Sequence, residues 1–140
     1  MFLKLRASIQ LFLLLQSFGM LIGSLTHLVW IINNGFLSEH YHTTVYTSIF
    51  WDSLVFIDPI AAFLLIAKPN IGVQMTALII VIDVLHNGYL CLRVFPNNPT
   101  LAVTWLIGNW MFLCQLGFGI FVLTTYKSIR KEIKLKRQAA

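Results

Sequence analysis

Residues 46–67 read YTSIFWDSLVFIDPIAAFLLIA and run directly into Lys68-Pro69-Asn70. A helix of this length crosses a hydrocarbon core about 30 Å thick, which takes about 20 residues rising 1.5 Å each. The stretch nevertheless holds two carboxylic acids, Asp52 and Asp58. An ionisable group at the centre of a span costs about 3 kcal/mol on insertion scales, so such groups face protein and mark function. A third acid, Asp83, stands in a similar setting. Together they predict a polar chamber enclosed by membrane helices.

Three more apolar stretches flank this one, at residues 7–32, 71–95 and 100–126. Hydrophobic residues make up 58% of the chain and charged residues 11%, with a mean hydropathy of +0.79. Soluble domains carry about 25% charge. The fold class predicted is an all-α, polytopic membrane protein, a four-helix up-down-up-down bundle forming one domain over residues 1–140. A basic tail covers 127–140. Lys4 and Arg6 before the first span resemble the start of a signal peptide, but the apolar run is too long and no small-x-small site follows it. It is read as a mature helix.

The basic residues set the expected orientation. Lys4, Arg6, Lys68, Lys127, Arg130, Lys131, Lys134, Lys136 and Arg137 fall on one side of four spans, and Arg93 on the other. The positive-inside rule then places both termini in the cytoplasm. The net charge of +5 is a topology signal, and basic residues that flank a membrane do not point to a nucleic-acid partner. Membrane lipids are the partners expected of the tail, which can lie along anionic headgroups. Short loops suit a bacterial inner membrane, with the endoplasmic reticulum as the alternative. Cys91 and Cys114 fall at different depths in spans three and four, which argues against a disulfide.

Connections are brief. Asn33-Asn34-Gly35 ends span one, because Asn and Gly tolerate left-handed backbone at a helix terminus. Lys68-Pro69-Asn70 is a tight turn, and Pro96-Asn97-Asn98-Pro99 is a second. Gly19 and Gly23 form a GxxxG pattern that allows close helix packing, within the chain or across a homodimer. The outer loop carries Glu39, His40 and His42, too few ligands for a structural zinc site, so no metal is assigned.

Depth and helical facing converge on the outer half of the membrane. Gln16, Met20, Gly23 and His27 share a face in span one. Ser48, Asp52, Val55, Phe56 and Pro59 share one in span two. Thr76, Ile80, Asp83, His86 and Asn87 do so in span three, and Trp105, Gly108, Asn109 and Phe112 in span four. Polar points among aromatic and small residues suit a pocket for an apolar ligand. The ligand-binding set is therefore Asp52, Asp83, His86, Asn87, His27, Asn109, Trp51, Phe56, Trp105 and Asp58. Trp51 and Trp105 are aromatic walls able to attract a cation. Asp58 lies about 120° around the helix from Asp52 and precedes Pro59, which leaves two roles open: a kink-stabilising acid or a cavity residue.

The run Phe50-Trp51-Asp52-Ser53-Leu54-Val55-Phe56, followed by Pro59 and Phe63, resembles the second membrane helix of the EXPERA superfamily, the group of sigma-2-receptor-like and emopamil-binding-protein-like membrane proteins. The resemblance implies a compact helical domain that holds hydrophobic amines or sterols, with Asp52 as cation partner and Trp51 or Phe56 as cavity wall. The chain departs from the group in its short segment between the first two spans and in having His27 where members often carry an acid.

The leading functional expectation is binding, sensing or transport of a small lipophilic, cationic molecule. Proton-coupled efflux by a homodimer is a second reading, since membrane carboxylates and histidines form proton relays. Electron transfer through a b-type haem held by His27 and His86 is a third, and the leading reading needs no cofactor. A lipid- or sterol-active isomerase using His86 with Asp83 is a fourth. Nucleophile motifs such as G-x-S-x-G are absent, and no catalytic residue is assigned.

Overall fold

The computed structural model describes residues 2–93, 95 and 98–139. It is all-helical, 89% helix. The elements are α1 (Ala7–Asn34), α2 (Val45–Ala67), α3 (Pro69–Arg93), α4 (Pro99–Gly108) and α5 (Trp110–Gln138), with short 3₁₀ turns at Phe2–Lys4 and Glu39–Tyr41. Four of them, α1, α2, α3 and α5, are long and apolar enough to cross a membrane. Large hydrophobic side chains cover their outer faces, among them Leu14, Phe18, Leu25, Phe63, Leu78, Leu85 and Ile120. Apolar surface on this scale is what a lipid-facing helix carries and a water-facing one does not.

The helix ends follow the local chemistry. Gly35 caps α1 with φ at +90°, and its N–H meets Ile31 O at 2.8 Å. Thr44 caps α2, its hydroxyl accepting from Thr47 N. Pro69 opens α3 at the first helical position, where its missing N–H costs nothing. Pro96 and Asn97 of the second expected outer turn lie outside the described residues.

The fourth expected span is not one uninterrupted helix. α4 ends at Gly108, Asn109 forms a turn, and α5 begins at Trp110. The backbone bonds nevertheless continue across it, Asn109 N to Trp105 O at 3.0 Å and Leu113 N to Asn109 O at 3.2 Å. The basic tail is helical. It is the last third of α5, with Ile129, Glu132 and Ile133 buried along one face.

The chain divides into two compact units, Met1–Thr76 with Ser128–Ala140, and Ala77–Lys127. In the first, α1 and α2 pack as an antiparallel hairpin. Ser17 Oγ donates to Ala62 O at 3.1 Å and Ser24 Oγ to Val55 O at 3.0 Å. Donors and acceptors are each seven residues apart, so a single heptad register runs the length of the pair. At the far end of the same unit, Arg6 Nε bridges Glu132 Oε2 at 3.0 Å, and Arg130 Nη1 donates to Asn70 Oδ1 at 2.9 Å. The start of α1, the α2–α3 turn and the end of α5 are thus held together, and their basic residues gather at one end.

In the second unit α3 runs antiparallel to α4 and α5. A Cβ on Gly88 would sit 3.4 Å from the Phe112 ring, and one on Gly119 would sit 3.2 Å from Val84 Cγ2. The tightest approach lies at the α2–α3 turn, where a Cβ on Gly72 would collide with the backbone of Leu65. Backbone cannot step aside as a flexible side chain can. Gly72→Ala should therefore lower stability by about 2 kcal/mol, in the range for overpacked sites. Gly117→Ala, with nothing within 4 Å of the added carbon, should be close to neutral. Thermal unfolding of the two variants in detergent checks this, and a Gly72→Ala protein as stable as the parent would contradict it.

Candidate functional site

The buried face of α2 decides which polar groups can matter. Thr47, Ser48, Asp52, Leu54, Asp58, Ala61, Ala62 and Leu65 are buried. At about 100° per residue these fall within one half of the helix. Ile49, Phe56, Ile60 and Phe63 form the opposite, exposed stripe. Both acids therefore belong to a single packed face whose centre lies between them. The sequence reading centred that face on Asp52, which made Asp58 look misplaced and drew Phe56 inward. Phe56, one turn on from Asp52, is 64% exposed and stands at the outer edge of that face.

Asp58 is pressed against α1, its Oδ2 only 3.0 Å from where a Cβ on Gly23 would stand. Its neighbour Pro59 has no N–H, so the carbonyl of Val55 loses its helical partner. The hydroxyl of Ser24 takes that place from the adjoining helix. One glycine and one serine, side by side on α1, thus accommodate the acid and the proline side by side on α2. Gly23 serves this contact inside the chain, whatever part the Gly19–Gly23 pattern has between chains.

Asp52 is fully buried, and both of its oxygens are occupied by the loop between α1 and α2. Leu37 N donates to Oδ2 at 2.6 Å and the Tyr41 hydroxyl to Oδ1 at 2.5 Å. Leu37 reaches this position with φ at +53°, and His42 beyond it lies at +50°. Left-handed backbone is uncommon for residues other than glycine and marks a loop held by its contacts. Ser38 starts the 3₁₀ turn, its hydroxyl accepting from His40 N at 3.2 Å and lying 3.0 Å from His40 Nδ1. The Tyr41 ring sits between two indoles, stacked on Trp30 (centroids 5.0 Å, 24°) and tilted against Trp51 (5.0 Å, 51°). The α1–α2 register sets His27 level with Asp52, and His27 lies within electrostatic range of that carboxylate. The candidate site of the first unit is therefore a buried acid, a histidine, and three aromatic rings closed over them by the loop.

The second unit builds a different cluster. Asn87 Nδ2 donates to Asp83 Oδ1 at 2.9 Å and to Gln115 Oε1 at 3.1 Å, while Gln115 Nε2 donates to Asp83 Oδ2. A carboxylate that only accepts is matched with two primary amides that donate, and the ring of bonds joins α3 to α5. Sequence reasoning passed over Gln115, although it is a lone amide amid Leu113, Cys114 and Leu116 and deserved the same question as Asn109. Asn109 itself donates to Trp105 O at 2.9 Å and accepts from Cys91 Sγ at 3.4 Å. Both cysteines are free thiols. Trp105 meets Phe95 edge to face at 4.9 Å, and His86 is half-buried on α3.

No known protein family, curated protein or solved structure matches this chain.

Two outcomes follow. Burial, the hydrogen bond to Asp52 and the charge of that carboxylate, in that order, hold the Tyr41 phenol well above its ordinary value of 10.0. A group raised on folding contributes stability that is complete below its unfolded value and lost as pH climbs through the folded one. One tyrosine should thus resist ionisation in a phenolate absorbance titration, and Tyr41→Phe should remove that late step. In the second unit, a double-mutant cycle of Asp83→Asn and Gln115→Leu should show coupling of about 1 kcal/mol, the scale of interhelical hydrogen bonds in membranes. Strict additivity would mean that the amide ring contributes nothing.

Proposed function

We propose that this integral membrane protein binds a small lipophilic cation at Asp52, as a sensor or carrier of such molecules, with its basic end in the cytoplasm and the Asp52 end facing outward. One observation carries the reading: a wholly buried carboxylate shares Tyr41 with a set of stacked aromatic rings. An ammonium group supplies what such a site offers to accept. Its N–H replaces the phenol O–H on Oδ1, its charge meets Asp52, and the faces of Trp30 and Trp51 attract it as indoles attract cations. Apolar parts of the ligand extend into the lipid-facing surface beside the helices.

The Asp52 cluster suits exchange better than the Asp83 ring. The donors to Asp52 come from a loop with two left-handed residues, whereas those to Asp83 stand on helices. Asp83, His86, Asn87, Asn109 and Trp105 belong to the second unit, where the amide ring ties its helices together. Asp58, engaged with Gly23, is a positioning residue for the hairpin that carries Asp52. The likeness of Phe50–Phe56 to the EXPERA second helix supports the same assignment for Asp52, and the one-sided basic residues support the orientation.

Two substitutions test the proposal with opposite signs. Asp52→Asn removes the charge and should weaken binding of a fluorescent hydrophobic amine by about a hundredfold, the upper range for a hydrogen bond to a charged group. Tyr41→Phe removes the competing donor and should tighten binding by roughly tenfold. Unchanged amine affinity in Asp52→Asn would refute the site.

A further inference from the structure

The packed end of α5 carries a feature that the amine site does not use. A groove of about 620 Å³ is lined by Arg6, Ser128, Lys131, Glu132, Leu135, Lys136 and Ala139. Five of these residues recur at helical spacing along one face of α5, and Ala139 follows its last turn. Arg6 enters from the start of α1, pinned through Nε to the buried carboxylate of Glu132. Among the described residues its guanidinium is engaged at one edge, and its side chain is 67% exposed. Three cations therefore meet one anion, and the groove carries two positive charges in excess.

We infer that this groove binds the phosphate of an anionic phospholipid. Lys131 and Lys136 supply point charges, and the free edge of Arg6 supplies a planar pair of donors matched to phosphate oxygens. The Ser128 hydroxyl adds a further donor. Depth favours a lipid over a dissolved phosphate. The apolar run of α5 gives way near Tyr126, so the groove opens at headgroup level within a turn of the span's end. Leu135, 52% exposed within it, and Ala139 give the glycerol backbone an apolar surface. Glu132 has two effects: it fixes Arg6 in place, and its negative charge holds the groove's affinity down.

The test is lipid retention by the purified full-length protein, compared by native mass spectrometry for phosphatidylglycerol and phosphatidylcholine. The parent should retain phosphatidylglycerol preferentially. Lys131→Gln with Lys136→Gln should reduce that preference by roughly twentyfold, at about fivefold per lysine near a charged surface. Lys134→Gln with Arg137→Gln removes the same charge from the same helix outside the groove and should change it by less than about threefold, since charges at this distance are screened. Glu132→Gln should strengthen retention. Equal losses in the two double variants would overturn the inference, because diffuse attraction to the tail would then explain the preference. Displacement of the lipid by equimolar inorganic phosphate would overturn it as well, by identifying the ligand as a soluble anion.

Discussion

A carboxylate drawn into a hydrocarbon layer loses its water, and donors must come from the protein itself. Three buried acids of this chain meet the demand for protein donors by different means. Asp52 takes a backbone N–H and a phenol from a loop. Asp83 takes two side-chain amides. Glu132, at the basic end, takes a guanidinium. The same demand governs the backbone, since Pro59 frees a carbonyl that Ser24 satisfies. Much of the remaining packing follows from where these partners must stand.

The α1–α2 hairpin shows how a local rule becomes a functional position. Small residues on α1 let α2 approach, and hydroxyls on the same face bond its carbonyls at a heptad interval. In lipid, where apolar surface gives helices no reason to associate, such contacts and tight van der Waals packing hold a pair together. The register they impose brings His27 level with Asp52 and places Trp30 where Tyr41 can stack on it. A shift of one residue would turn the whole set toward the acyl chains.

Much of this was legible in the sequence. Length and hydropathy located the four apolar stretches, Gly35 and Pro69 marked where helices stop and start, and Asp52 announced itself by its surroundings. What could not be read is instructive. The break at Asn109 leaves the hydropathy unchanged, because the backbone bonds run on through it. The role of Asp58 was hidden because facing was measured from one acid alone, whereas the packed face lies between two. Nothing local to Tyr41 reveals that its loop folds back to bring the phenol onto Asp52, eleven residues on. The basic tail showed its charge but not its packed face, for Ile129 and Ile133 are buried at a period that the surrounding lysines and arginines obscure.

The central claim is that the ligand's charge sits at Asp52 beneath the aromatic loop. Photo-crosslinking with a diazirine-bearing hydrophobic amine, followed by peptide mapping, tests it most directly. Labelling concentrated on Trp30, Tyr41 or Trp51 and suppressed by unlabelled amine is the outcome expected. Suppressible labelling confined to residues 77–127, with none on the hairpin or its loop, would contradict the account.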